Sequence, residues 1–257
     1  MSNLKLESIS KYYLKHAGAK QKVLDDINLS IEASENEGSF VSILTSFESG
    51  KTTLLKIISA IEKPDNGKVL LQNEVYYNAT GKIVFIPEKP SSFPWLNVEQ
   101  NINFATNIST DKLKELIGAV DLTGYENNHP HNASLGFRFR ISLARALAVG
   151  PTFILLDDIF RRMDSETKDE IYELLRTVRL KFNINFILAT TNISEAIYLS
   201  DKLYLMKKNP GRIIEEIKLD ADTLKSKGLN RQERFVSLRN EIEKAFKASG
   251  EMSQTEI

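Results

Sequence analysis

Ser49-Gly50-Lys51-Thr52-Thr53 is the stretch of this chain whose residue types and order could do chemistry most directly. It follows an apolar run at residues 40–44 and opens a helical pattern over residues 51–61. A strand, a short glycine-containing turn and a helix headed by Lys-Thr form the setting of a phosphate-binding loop. Backbone N–H groups at the helix start, helped by the helix dipole, can cradle phosphate oxygens. Lys51 would reach the β and γ phosphates, and the Thr52 hydroxyl would ligate Mg²⁺. The candidate nucleotide contacts are therefore Ser46, Phe47, Glu48, Ser49, Gly50, Lys51, Thr52 and Thr53. Two features depart from the formula. Thr45 stands where its first glycine belongs, and Glu48 places a carboxylate in a loop meant for anions. The plain alternative is a strand, turn and helix that carry Gly-Lys-Thr by chance.

A second element lies far along the chain. Phe153-Ile154-Leu155-Leu156-Asp157-Asp158 is an apolar strand ending in two acids. Asp157 at the strand's carboxyl end can hold the Mg²⁺ shell, and Asp158 can orient an attacking water. The alternative is a strand that simply ends in solvent. The placement argues against it, because α/β sheets bind ligands at the carboxyl ends of their strands.

The elements that position these residues follow from the hydrophobic pattern. Residues 4–13 and 23–31 alternate apolar and polar, as half-buried antiparallel strands do. Residues 68–71, 82–86 and 184–189 are further strands. Residues 98–105, 111–120, 135–148, 165–179 and 193–199 are helical, with Ser165 as the expected N-cap of the fourth. Phe235, Leu238, Ile242 and Phe246 share one helical face and predict a tail helix packed on the domain. Alternating strands and helices predict an α/β fold with a parallel sheet covered on both faces.

Composition sets outer bounds. The 257 residues carry 34 Lys+Arg and 34 Asp+Glu, and no basic block points to nucleic acid. The absence of cysteine removes disulfide, thiolate and Cys-metal chemistry. The polar start after Met1 does not read as a signal segment, and no apolar run approaches the roughly 18 residues of a membrane span.

Between the two phosphate elements lies Pro130-His131-Asn132-Ala133-Ser134-Leu135-Gly136-Phe137-Arg138, followed by Ala144-Arg145-Ala146-Leu147. This resembles the signature loop and helix of ABC-type ATPases, usually Leu-Ser-Gly-Gly-Gln followed by an Ala-Arg-Ala-Leu helix. The order of phosphate loop, signature and acid-terminated strand is that family's own. Phe93-Pro94-Trp95-Leu96-Asn97-Val98 and Asn209-Pro210-Gly211-Arg212-Ile213 are similar to importer ATPases for nitrate, sulfonate and taurine. The resemblance covers nearly the whole chain.

It implies a P-loop NTPase fold with a RecA-like mixed-sheet core, an antiparallel β subdomain and an α-helical signature subdomain near residues 90–150. The ATP-binding domain would span residues 1–220, with a helical tail over 221–257. The subunit would bind MgATP and sit on the cytoplasmic face of the membrane, docked on transmembrane permease subunits. It would pair with a second ATPase protomer, identical or not, whose Ser134 and Gly136 close over the nucleotide. Tyr13 matches the aromatic that stacks on adenine; the plain alternative is an ordinary strand aromatic. Asp164 matches the D-loop aspartate. Phe93, Trp95 and Leu96 would offer the permease an apolar contact, although Trp95 could equally be core.

Four positions depart from the family. Asp158 replaces the catalytic glutamate, and a misplacement of ~1 Å can cost on the order of 10²-fold in rate. Thr191 replaces the switch histidine. Glu88 replaces the Q-loop glutamine; an ionised carboxylate accepts but cannot donate, so it could bind Mg²⁺ yet repel the γ-phosphate. Leu135 replaces a signature glycine and could crowd a phosphate. Two functions follow: an importer ATPase working with a shortened base, or an impaired ATP-binding subunit paired with an intact ATPase.

Overall fold

The computed structural model describes residues 3–14, 18–32, 37–89, 91–104, 106–219 and 229–249. In chain order the elements are β1 (Asn3–Leu14), β2 (Lys20–Glu32), β3 (Phe40–Thr45), α1 (Lys51–Ile58), β4 (Asn66–Leu71), β5 (Glu74–Val75), β6 (Ile83–Ile86), α2 (Val98–Asn103), α3 (Thr110–Ala119), α4 (Leu135–Ala148), β7 (Phe153–Asp157), α5 (Ser165–Phe182), β8 (Asn185–Thr190), α6 (Ile193–Leu199), β9 (Lys202–Lys207), β10 (Arg212–Lys218) and α7 (Leu229–Ala248). They fall into two compact units: residues 1–35, 39–79 and 187–257, and residues 36–38 and 80–186.

In the first unit, β2-β1-β4-β5 form an antiparallel sheet. Its inward positions are the apolar ones of the alternation, with Leu4, Leu6, Ile9, Ile27, Leu29 and Ile31 buried. A second set of strands follows the order β10-β9-β3-β8. There β3 is parallel to β9 and β9 antiparallel to β10, so the core is mixed rather than wholly parallel. The periodicity does not reveal β10, because its burial pattern, largely exposed and half-buried, lacks alternation.

Helix α1 stops at Ile58, short of the expected residue 61. Ser59 Oγ donates to the Leu55 carbonyl at 2.9 Å, Ala60 turns left-handed (φ 58°), and the Ile61 N–H returns to the Lys56 carbonyl. Helix α7 buries Leu238, Ile242 and Phe246 in a cluster with Leu44, Ile193, Ala196, Ile197, Leu203, Leu205 and Ile217.

In the second unit β6 and β7 pair in parallel, Ile86 opposite Leu156. Helices α2 and α3 pack on α4. Helix α2 starts in a capping box between Asn97 and Gln100. Helix α5 is capped by Asp164 rather than by the expected Ser165. The Asp164 carboxylate accepts from both the N–H and the hydroxyl of Thr167, at 2.9 and 2.8 Å.

Candidate functional site

The phosphate loop belongs to the first unit. Thr45 closes β3 fully buried, so it serves the core where the loop formula has glycine. Ser46 and Ser49 are buried, and the Ser49 Oγ accepts and donates no hydrogen bond. Glu48 is exposed and adopts the left-handed region (φ 61°). Gly50 is the N-cap of α1 with φ 89°. A Cβ there would meet Val23 Cγ1 at 2.8 Å and Leu24 Cδ2 at 2.9 Å, so only glycine fits. A glycine cap has no side chain to occupy the first-turn N–H groups of α1, which leaves that helix start suited to an anion. The Lys51 ammonium stands 5.9 Å from the centre of the Phe47 ring. The residues present thus fit a bound phosphate chain.

Two neighbours back this loop. The Gly211 N–H donates to the Val23 carbonyl at 2.8 Å, and the Asp25 N–H to the Gly211 carbonyl at 3.0 Å. Arg212 and Lys22 both pair with the Asp25 carboxylate, Lys22 at 2.6 Å. These bonds, Lys22 first and Arg212 second, hold the Asp25 carboxyl below its ordinary range. Tyr13 lies at the other side. Its hydroxyl donates to Glu62 Oε1 at 2.6 Å and lies 3.4 Å from Thr53 Oγ1, while its ring stays partly exposed. Burial raises the Tyr13 phenol above its ordinary range, and Glu62 adds to the shift. Thr191 is buried between Thr190, whose hydroxyl donates to Glu195 at 2.7 Å, and Asn192, which caps α6.

The acid pair belongs to the second unit. Asp157 ends β7 and Asp158 follows it, both buried. Asp158 adopts φ 50°, a conformation short polar residues tolerate better than long ones. Glu88 lies two residues beyond the end of β6, at the same carboxyl edge as Asp157, because β6 and β7 run parallel in register. Glu88 Oε1 is 3.5 Å from Arg162 Nε and 3.9 Å from an Arg161 terminal nitrogen.

Ser134, the N-cap of α4, accepts from the Phe137 N–H at 3.2 Å. Leu135 opens the helix half-buried. At Gly136 a Cβ would stand 2.7 Å from Thr167 Cγ2, so this glycine lets α4 and α5 approach. The Asp164 carboxyl is held below its ordinary range, chiefly by the Thr167 N–H.

Sequence reasoning missed Arg161, Arg162, Asp25 and Asn101. Buried Asn101 bonds the Phe93 N–H and carbonyl at 2.7 and 3.0 Å and the Leu96 carbonyl at 2.9 Å, fixing loop 93–97. No local spacing signals these contacts. Trp95, by contrast, is 69% exposed and is not core. Phe93 lies 5.5 Å from the Trp95 ring and 4.5 Å from that of Phe104, which is also exposed.

A phosphate loop opening a helix, an acid-terminated strand and a helical segment between them define a P-loop ATPase of the ABC type. Residues 24–161 match the family model described as ABC transporter. An aliphatic sulfonates import ATP-binding protein of Bacillus anthracis is 32% identical over 256 residues, 98% of this chain and 98% of its own length. A taurine import ATP-binding protein of Pseudomonas savastanoi pv. phaseolicola is 31% identical over 254 residues, 94% of this chain and 95% of its own. A dimeric ATP-binding cassette solved in a post-hydrolysis state with ADP and Pi superposes with a TM-score of 0.72 at 26% identity, covering 85% of this chain and 99% of that one. The chain belongs to the ABC transporter ATP-binding family. It is an ABC-type ATPase, and ATP is its nucleotide.

Proposed function

We propose that this chain is the ATP-binding subunit of an importer and couples ATP binding and slow hydrolysis to solute entry through membrane permease subunits. The observation that carries the reading is the cradle at Gly50, Lys51 and Thr52: a helix start with a glycine cap, backed by Val23 and Leu24. Import of small organosulfonates is supported by the names of relatives matched over nearly their full length. No helix among the described residues is long and apolar enough to cross a membrane. The subunit would dock on its permease partners through Phe93, Trp95 and Leu96, on the cytoplasmic face of the membrane. The similar solved cassette is a dimer, which supports pairing with a second ATPase protomer.

Each residue's work follows from its chemistry. Lys51 and the first-turn N–H groups of α1 offset phosphate charge. Mg²⁺ bound with the nucleotide would neutralise further charge, and Thr52 and Asp157 are the residues that would hold it. Asp158 orients water with a carboxylate one methylene shorter than glutamate, and Thr191 offers a hydroxyl where an imidazole would reach further. Both shortfalls slow hydrolysis more than binding. Ser134 and Gly136 would close over the nucleotide of a partner protomer, and the Tyr13 ring would cover the base.

The experiment measures ATP affinity and magnesium-dependent phosphate release together. Lys51→Ala is expected to abolish ATP binding. Asp158→Glu with Thr191→His is expected to raise phosphate release. Unchanged affinity in the first variant sinks the phosphate-loop assignment; no gain in the second sinks the account of slow hydrolysis.

A further inference from the structure

Tyr13 is held from two sides by residues that the phosphate chemistry leaves unused. Its hydroxyl donates to Glu62 Oε1 at 2.6 Å and stands 3.4 Å from the Oγ1 of Thr53, in the first turn of α1. Against the ring sits the Lys11 ammonium, 5.6 Å from the centroid. Lys11 is itself fixed. It donates to the Lys63 carbonyl at 2.8 Å and pairs with the same Glu62 oxygen at 3.3 Å, with its side chain only 13% exposed. The backbone is tied alongside. The Tyr12 N–H donates to Asp65 Oδ2 at 2.7 Å, and the Asp65 N–H to the Ser10 carbonyl at 2.9 Å. The Glu62 N–H returns to the Lys56 carbonyl at 3.1 Å, in the turn that closes α1. The helix that opens on the phosphate cradle thus ends in the turn whose carboxylate grips Tyr13. All these residues belong to the first unit. A strand aromatic that served the core would be buried, whereas Tyr13 stays 39% exposed with its hydroxyl anchored. A short bond from a phenol to a carboxylate is among the stronger hydrogen bonds, and on an exposed ring it fixes orientation.

We propose that Glu62 is a positioning residue for the base of the nucleotide: its carboxylate, steadied by Lys11, holds the Tyr13 ring beside the phosphate cradle before any nucleotide arrives. This rests on the reading above that the Tyr13 ring covers the base, and deepens it. An exposed tyrosine left to itself samples several rotamers, and ordering it on binding costs affinity. A ring already oriented avoids that cost. Stacking tolerates any base, because every base has a π-face. The grip therefore favours a nucleotide over a bare polyphosphate without selecting among bases. Inorganic tripolyphosphate, which carries the phosphates and no base, is accordingly the control ligand.

The test measures the affinity of the full chain for ATP and for inorganic tripolyphosphate, each with Mg²⁺, by calorimetry. Glu62→Ala is expected to weaken ATP about fivefold and to leave tripolyphosphate unchanged. Retained tripolyphosphate binding reports that the variant is folded. Glu62→Gln keeps an oxygen that accepts from the phenol and is expected to recover most of the loss. Tyr13→Phe keeps the ring and removes only the hydroxyl, so it is expected to match Glu62→Ala. The two changes combined are expected to be no weaker than either alone, as for partners in one bond. ATP affinity unaltered by Glu62→Ala and by Tyr13→Phe overturns the proposal. So does an equal loss for both ligands, which would make Glu62 a support of the phosphate loop, and so do losses that add in the combined variant. Tyr13→Ala keeps the two readings apart, and is expected to weaken ATP about tenfold with tripolyphosphate unchanged. If it leaves ATP affinity intact, the ring does not cover the base. If it alone weakens ATP, the ring covers the base and Glu62 does not position it.

Discussion

Gly211 has no room for a side chain. A Cβ there would stand 2.5 Å from the Ser49 carbonyl oxygen and 3.0 Å from Leu24 Cδ2. The first contact is backbone of the phosphate loop and cannot be relieved by turning a flexible side chain. Gly211→Ala should therefore shift Ser49 and, with it, the N–H groups offered by Gly50 and Lys51. The expected result is an ATP affinity lowered by about tenfold, since a cradle displaced by a few tenths of an ångström loses charge-assisted bonds. Titration with a fluorescent nucleotide would show it, and unaltered affinity would mean that the turn at Gly211 does not back the loop. At this scale the sequence was legible wherever chemistry is contiguous. Gly50-Lys51-Thr52 and Asp157-Asp158 each sit together on one turn or one strand end, so their types and order announce them. Glu88 was legible as a departure but not as a partner of Arg161 and Arg162. That contact joins the ends of two strands and obeys no local period.

Loop 91–97 depends on its neighbours for its shape. Helix α4 reaches it through Arg145, whose guanidinium donates to the Ser91 carbonyl at 2.8 Å and to its hydroxyl at 2.6 Å and lies 4.8 Å from the centre of the Phe93 ring. Burial pushes that guanidinium below its ordinary pKa, though arginine stays charged at any working pH. Arg138 holds Ser92 from the same helix at 3.3 Å. The loop is thus tied closely to the helix that Ser134 caps. Its aromatic face is exposed at Trp95 and Phe104 and invites an apolar partner. Trp95→Ala should reduce recovery of the subunit with its permease in membrane fractions, while ATP affinity stays within about twofold, because the ring covers no core. Equal recovery would place the docking face elsewhere. Element boundaries were the hardest feature to foresee. The Asp164 cap precedes a serine of equal propensity, and the β9–β10 hairpin hides in a stretch without alternation.

Across the whole chain, the first unit closes on a helix that comes from its far end. Helix α7 was readable as an amphipathic face, because Phe235, Leu238, Ile242 and Phe246 recur at helical spacing. Its target was not, since the receiving surface is assembled from β3, α6, β9 and β10. Ile242 is fully buried there. Ile242→Ala removes its methyl and methylene contacts and leaves a cavity, a change that costs roughly 2–4 kcal/mol at such sites. The loss should appear as a lower midpoint in urea unfolding. Leu44 belongs to the same cluster and is the residue before Thr45, where the strand hands over to the phosphate loop. Loosening α7 should thus reach the nucleotide site through β3. Saturating ATP binds the folded chain only, so it should restore part of the lost stability. A midpoint that falls by less than the equivalent of about 1 kcal/mol would show that α7 rests on the domain without supporting it. A full loss that ATP leaves uncorrected would mean that the variant no longer binds ATP and that the damage has passed along β3 to the nucleotide site.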